Sequence, residues 1–416
     1  MYRQRQLAPT LRRARAGFPA VLVTGPRQSG KTTFLRHEAG AGVDYVSFDD
    51  PGERDFALAD PAGFLARFAG RAVILEEIQY APPLLSHIKL RIDAEPRRRG
   101  RWLLTGSQQF ALMREASESL AGRVAILELP PFSHGELPRA GLERTLWDGG
   151  YPVPALHPTQ RDLWLRSYVA TYLERDARQI RNIPDLRSFS QFLSLAAARH
   201  GQEFHPADLA RELGVSQPTV KSWAGVLEAS YVGLLLPPWF RNYGKRVVKT
   251  PKFYLLDSAL ACLLTRQPDA AAALAGPLGG ALFEGWVVAE AAKAFMARGR
   301  RPEIYFWRSH DGLEVDLCLV LEGKLHPIEI KLTATPTSAH LQPLMRLLQA
   351  AGTEAADAGL IVCRTPQPRM LAGGHLALPW RDFPDWLAAR LDRRRRRAPQ
   401  DRLGGALSVF DARLFR

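Results

Sequence analysis

Short apolar runs punctuate the first third of the chain. VLVT (21–24), DYVSF (44–48), AVIL (72–75), RWLL (101–104) and VAILEL (124–129) are brief, rich in β-branched residues and leucine, and separated by segments of helical character. Strands buried on both faces read this way, so the pattern predicts a parallel sheet covered by helices on both sides. From about residue 160 to 200 the pattern turns helical and charge-rich. HPADLARELGVSQPTVKSWAGVLEASYVGLLLP (205–237) then has the grammar of a helix-turn-helix. Leu209 and Leu213 share one helix face, Gly214 makes the turn, and Ser216 caps a second helix with Val220, Trp223 and Leu227 inward. The segment that follows, up to PKFYLLD, reads as a β-wing.

VDLCLVLEGKLHPIEIK (315–331) alternates with period two, as a hairpin does. A two-residue Glu322-Gly323 loop sets Asp316 opposite Glu329 and puts Lys331 on the same face. Val315, Leu317, Leu319, Leu321, Ile328, Ile330 and Leu332 fall on the other face, which must be core. Pro327 then requires an edge or a gap in the ladder. HLQPLMRLLQAAG (340–352) predicts a helix and AGLIVC (358–363) a strand, consistent with a small α/β unit.

Length and charge narrow the classes. At 416 residues the chain is expected to hold two to four domains. No apolar run approaches the roughly 18 to 20 residues of a membrane span. The basic N-terminus resembles the start of a signal peptide, but only about five apolar residues follow before a glycine-rich motif, so a cytoplasmic protein is expected. Cys262, Cys318 and Cys363 stand singly and give neither a disulfide framework nor zinc spacing. A formal charge of +14 points to nucleic acid, the alternative being a solubility charge or an arginine-rich composition. The arginine run in DRRRRRAPQDR (392–402) reads as a disordered arm, solvated or touching phosphate.

Three places carry chemistry. Gly25-Pro26-Arg27-Gln28-Ser29-Gly30-Lys31-Thr32 fits G-x-x-x-x-G-K-[ST] between a strand and a helix, with Thr33 beside it. The loop amides cradle phosphate, Lys31 reaches the β and γ phosphates of ATP, and Thr32 ligates Mg²⁺. The acidic partners are Glu76, where Mg²⁺ is held through a water, and Glu77, placed to polarise the attacking water. Ser107 and Gln108 follow the next strand and would sense the γ-phosphate, or merely hold a turn. On the second helix of the helix-turn-helix, Gln217, Thr219, Lys221 and Ser222 lie where a recognition helix meets DNA. Arg241, Lys245, Arg246, Lys249 and Lys252 line the wing, although the same fold also serves packing alone.

The third place is the hairpin. Two opposed carboxylates lie about 5 Å apart and repel, so a cation is expected between them. A divalent ion on Asp316 and Glu329, with Lys331 stabilising phosphate charge, would make a phosphodiesterase. The alternative is a solvated sheet face on which Lys331 neutralises Glu329 or Glu314.

GPRQSGKTT, LEEIQ, LTGSQ, SLAGR, GGYP and YLERDARQI, in this order and spacing, resemble the prokaryotic AAA-type P-loop ATPases that carry a C-terminal domain of unknown function. The resemblance covers nearly the whole chain. It implies ATP and Mg²⁺ as cofactors, although that family usually ends its acidic strand Asp-Glu and Glu76 departs from this. It implies that Arg123 is an arginine finger offered to a neighbouring subunit of a homo-oligomer, the alternative being a structural ion pair. The family's C-terminal domain is similar to PD-(D/E)xK nucleases, and D-x₁₂-E-x-K here matches that core, with Glu284 of ALFEGWVVAEAAKAF as a further acidic ligand.

The expected architecture is α/β: a P-loop core (1–140) with a helical extension (141–200), a winged helix-turn-helix (201–258), a restriction-endonuclease-like domain (259–388) and a basic tail (389–416). The expected work is ATP-driven binding or remodelling of DNA, with no membrane partner and a nuclease-like site that is active or degenerate. The alternative is a nucleotide-regulated DNA- or protein-binding regulator that does not cut.

Overall fold

β1 (Ala20–Thr24), β2 (Asp44–Ser47), β3 (Val73–Glu76), β4 (Trp102–Thr105) and β5 (Val124–Glu128) form one sheet in the order β2-β3-β4-β1-β5, every pairing parallel. The computed structural model describes residues 2–106, 119–173, 186–240 and 250–397. Successive residues of these strands enter two separate apolar layers. Leu22, Leu75 and Leu104 pack with Leu84 and Ile88 on one side, while Val21, Val23, Ile74 and Leu103 pack with Leu11 and Phe34 on the other. Leu11 comes from α1 (Ala8–Gly17) and Phe34 from α2 (Lys31–Ala39). The expected two-sided parallel sheet is therefore present, and its strand ends define where a ligand can reach.

A second, larger core gathers described residues that lie between Leu142 and Leu391. It joins stretches that the sequence divides into helical extension, helix-turn-helix and C-terminal domain. Besides helices between Leu142 and Tyr168, it includes α3 (Leu186–Ala198), α4 (Pro206–Leu213), α5 (Gln217–Ala229) and an antiparallel ribbon of β6 (Gly233–Leu236) and β7 (Lys252–Leu255). Gly214 ends α4 in the left-handed conformation that glycine takes without steric cost, at φ 66°. The Ser216 side chain accepts from the Thr219 N–H and caps α5, with Val220, Trp223 and Leu227 buried beneath.

α6 (Gly279–Met296) is apolar on nearly every face and buried along most of its length. It packs against a six-stranded sheet in the order β12-β13-β11-β10-β9-β8, comprising β8 (Ile304–Arg308), β9 (Glu314–Leu321), β10 (Lys324–Ile330), β11 (Leu360–Cys363), β12 (Arg369–Met370) and β13 (Leu376–Pro379). β9 and β10 pair in the register that the Glu322-Gly323 loop dictates, from Lys324↔Leu321 to Ile328↔Leu317. Both loop residues have positive φ, 54° and 80°, as a type I′ turn requires. β10 is interior, and its pairing with β11 starts at Ile328, so Pro327 sits just before that ladder begins.

Three expectations change. The face opposite Leu317 and Leu319 is not open to water, because α7 (Gln342–Ala351) covers it with Leu344 and Leu347. Val315 packs on that second face with Trp239 and Cys318 rather than with Leu317, next to a register irregularity between β8 and β9. The arginines at 393–397 continue helix α8 (Phe383–Arg397) instead of forming a disordered arm.

Candidate functional site

The P-loop bridges β1 and α2. Gly25 has φ 143°, and a Cβ there would lie 2.3 Å from the carbonyl oxygen of Leu129, the residue after β5, so the first fixed glycine is required by that backbone as much as by a phosphate. Gln28 and Gly30 also have positive φ, at 62° and 89°. Ser29 is fully buried, Pro26 buried, Arg27 half-buried and Thr33 exposed. Lys31 donates to the loop carbonyls of Pro26 and Gly25 at 2.8 and 3.1 Å, folded over the cradle that a phosphate would fill.

Glu76 ends β3. One of its carboxylate oxygens accepts from the Thr32 hydroxyl and the other from Tyr45 on β2. Two hard oxygen donors, Thr32 Oγ1 and Glu76 Oε1, thus meet at the start of α2, the donor chemistry that Mg²⁺ takes. The extra methylene of glutamate over aspartate is taken up by this double contact. Burial and the Glu76 hydrogen bond push the Tyr45 phenol up to about 12. Glu77 adopts the left-handed conformation, φ 53°, with its N–H on Thr105 Oγ1 at 3.3 Å and its carboxylate bonded by Gln79. Thr105 ends β4, so the P-loop, Glu76, Glu77 and Thr105 gather at the C-terminal ends of adjacent parallel strands. Ser107 lies outside the described residues.

Sequence reasoning missed a second-rank residue here. Arg5, only 4% exposed, donates to the Ser29 carbonyl at 2.9 Å and to the Pro130 carbonyl at 2.5 Å, and pairs with Glu136 at 3.2 Å. It reads as one cation among many in a basic N-terminal stretch. The GGYP motif also gains a physical reason. A Cβ on Gly149 would meet Asp257 Oδ1 at 2.4 Å and one on Gly150 would meet the Phe132 carbonyl oxygen at 2.4 Å.

Arg123 sits elsewhere. It precedes β5, at the opposite end of the sheet from the P-loop, a strand length of about 16 Å away. Its guanidinium forms a two-pronged ion pair with Asp93, at 2.7 and 3.1 Å. Of the two readings open for it, the ion pair is the contact present.

In the C-terminal sheet the hairpin carboxylates come together as the register demands, but they are buried. Asp316 is 5% and Glu329 3% exposed, which rules out a solvated face. The cation expected between them is Lys331, whose ammonium lies 2.7 Å from Glu329 Oε1 and 3.0 Å from Asp316 Oδ2. Asp316 Oδ2 also accepts the Ile330 N–H at 2.8 Å. Glu329 Oε2 is buried with no hydrogen-bond partner among the described residues. Burial and the neighbouring Asp316 push the Glu329 carboxyl up to about 8, and the same causes push Glu284 on α6 up to about 7.

Glu284 has its own cation. Lys252, the first residue of β7 and counted from sequence among the wing cations, is 4% exposed and bonds Glu284 at 3.0 Å. It also pairs with Glu314, and Tyr254 donates to Glu284 as well. The carboxylate oxygens and the orphaned Glu329 Oε2 suit a divalent ion, yet as placed no three acidic, histidine or cysteine side chains converge on one point among the described residues.

On α5, Gln217 and Lys221 are exposed, and Thr219 is half-buried and shares its hydroxyl with Ser216 at 2.8 Å. Arg246 and Lys249 lie outside the described residues. Among those described, no helix is long and apolar enough to cross a membrane.

A family model described as an AAA domain matches residues 17–138. Two others, both described as domains of unknown function (DUF8612 and DUF4143), match 139–271 and 279–383. Two uncharacterized proteins, Mb2031c of Mycobacterium bovis and Rv2008c of Mycobacterium tuberculosis, are each 35% identical over 337 residues, covering 80% of this chain and 75% of theirs. Among solved structures, the Walker-type ATPase PABY2304 of Pyrococcus abyssi is similar over 64% of this chain and 96% of its own, at 14% identity and a TM-score of 0.44. The RuvB Holliday junction branch migration motor of Thermotoga maritima is similar over 56% and 89%, at 17% identity and a TM-score of 0.29.

Proposed function

This chain belongs to the family of the mycobacterial proteins Mb2031c and Rv2008c, with an AAA domain at residues 17–138, and from that premise we propose that it is an ATPase whose nucleotide cycle acts on DNA. The observation that carries the reading is Glu77, whose backbone N–H is held by Thr105 and whose carboxylate is held by Gln79, beside the Thr32–Glu76 pair. A protein that only bound nucleotide would have no use for it. Lys31 exchanges its contacts with the Gly25 and Pro26 carbonyls for phosphate oxygens, and the loop amides complete the cradle. Thr32 and Glu76 would hold Mg²⁺, which supplies charge neutralisation on the phosphates. Glu77 orients the attacking water and accepts its proton.

DNA enters through α5, where Gln217 and Lys221 stand free of the core at the N-terminal half of a helix whose inner face is locked by Trp223 and Leu227. The C-terminal sheet is the nuclease-like unit of this reading. Asp316, Glu329 and Glu284 would hold a divalent ion there, which supplies Lewis acidity, and Lys331 would stabilise phosphate charge. We place the protein in the cytoplasm as a homo-oligomer. The test is ATP turnover with and without duplex DNA. Stimulation several-fold is expected, and equal rates together with no salt-sensitive DNA complex would defeat the DNA part of the reading.

One observation favours a second reading, a nucleotide-regulated binding protein that does not cut. All the carboxylates of the C-terminal cluster are already engaged by Lys331 or Lys252. Incubation with Mg²⁺ or Mn²⁺ and supercoiled DNA separates the two readings, since only the first predicts nicking.

A further inference from the structure

Lys252 does not behave as a wing residue. It leaves the ribbon, loses its water and ends between two carboxylates from two other elements, Glu284 on α6 and Glu314 on β9. An ammonium buried this deeply is costly, and the cost is met only because both partners are in contact. Tyr254, two residues on, donates to the same Glu284 oxygen. One strand of the ribbon therefore supplies both groups that hold Glu284, while Asp316 and Glu329 share Lys331.

Building on the nuclease-like reading, we propose that Lys252 is a positioning residue that withholds Glu284 from the divalent-ion site, so that metal binds only as Lys252 gives Glu284 up. The ammonium and the ion compete for one carboxylate. A positive charge within a few ångströms also opposes a second one electrostatically, and burial strengthens that opposition. The lock is supplied by the ribbon next to α5, which makes metal occupancy dependent on the placement of the unit proposed to meet DNA.

The measurement is Mn²⁺ binding to the full chain, read from the electron paramagnetic resonance of free Mn²⁺. Lys252→Gln keeps a hydrogen-bonding side chain of similar length and is expected to bind Mn²⁺ at least about tenfold tighter, the factor that about 1.4 kcal/mol of relieved opposition gives. The gain should vanish in the Lys252→Gln/Glu284→Gln double variant, which separates this site from Thr32 and Glu76. Equal or weaker affinity in Lys252→Gln overturns the proposal. A wild-type readout guards against a variant that fails to fold. Lys252 should be protected from acetylation without metal and modified when millimolar Mn²⁺ is present, as mapped by peptide mass spectrometry. Labelling that is the same with and without Mn²⁺ overturns it as well. DNA cleavage is scored separately, so that tighter Mn²⁺ binding with no cutting leaves the lock standing and removes the nuclease reading.

Discussion

At the P-loop, the working residues sit at the C-terminal ends of neighbouring strands of one sheet, and each is placed by its own backbone: Gly25, Gln28, Gly30 and Glu77 all have positive φ. At the C-terminal cluster the carboxylates come from two strands and a helix, Lys252 arrives from a ribbon belonging to another part of the chain, and charge pairing rather than backbone conformation fixes the geometry. The first site lies along one edge of a single sheet, and its two carboxylates, Glu76 and Glu77, are half-buried. The second is assembled from far apart and buried. A local site can be read from a motif and tolerates change around it, whereas an assembled one holds together only while its charges balance.

The sharpest contrast comes from removing the lysine of each. Lys31→Ala should abolish ATP hydrolysis with little change in melting temperature, and Glu77→Gln should bind ATP but turn over at least about a hundredfold more slowly. Unchanged turnover in Glu77→Gln would remove it from the catalytic role. Lys331→Ala should do the reverse and destabilise the fold. Losing one member of a buried pair costs about 3 to 5 kcal/mol, and the one-third exposure of Lys331 reduces this to about 2 kcal/mol, measured by denaturant unfolding. A stable Lys331→Ala protein would break the comparison.

DNA affinity tests the open helix face. Lys221→Ala should weaken duplex binding several-fold and lower the salt slope by about 0.9, the value of one phosphate contact. The smallest effect is expected of Glu329→Gln at neutral pH, because burial and the neighbouring Asp316 push the Glu329 carboxyl up to about 8, so that Lys331 is shared with Asp316 rather than committed to Glu329. A carboxyl whose pKa rises on folding contributes stability that is complete below its unfolded pKa of 4.5 and is lost as pH climbs through about 8. The metal-free wild type should therefore lose stability across that window, and Glu329→Gln should flatten the loss. Identical pH profiles would show that Glu329 is ionised in the fold.

Legibility followed the same division. The five parallel strands were readable because burial on both faces leaves uninterrupted apolar runs, and the hairpin register because a two-residue loop with two positive φ angles allows a single pairing. Glu76, Glu77, Asp316, Glu329 and Lys331 stand where spacing puts them. Lys252 was not readable as a site residue: its partners Glu284 and Glu314 are 32 and 62 positions away, and a lysine among wing cations looks solvated. Tyr45 escaped because its contact with Glu76 runs between strands adjacent only in space. Val315 escaped because period two fails next to the β8–β9 irregularity. The cover over Asp316 and Glu329 comes from α7, a helix that sequence predicts without saying which face of the sheet it will take.

Arg5 sets an order of events. Its contacts with Pro130 and Glu136 span 125 and 131 positions, so the guanidinium that braces the Ser29 carbonyl cannot find its seat until the chain past residue 136 has emerged from the ribosome. Such distant closures come late, since the loop entropy has to be met before the contact rewards it. The phosphate cradle is encoded within the first forty residues, yet its brace is fitted only after the whole first sheet has been made. During synthesis the nascent AAA domain would thus hold a loosely tied nucleotide loop, tightened at the moment when growth passes to the next unit.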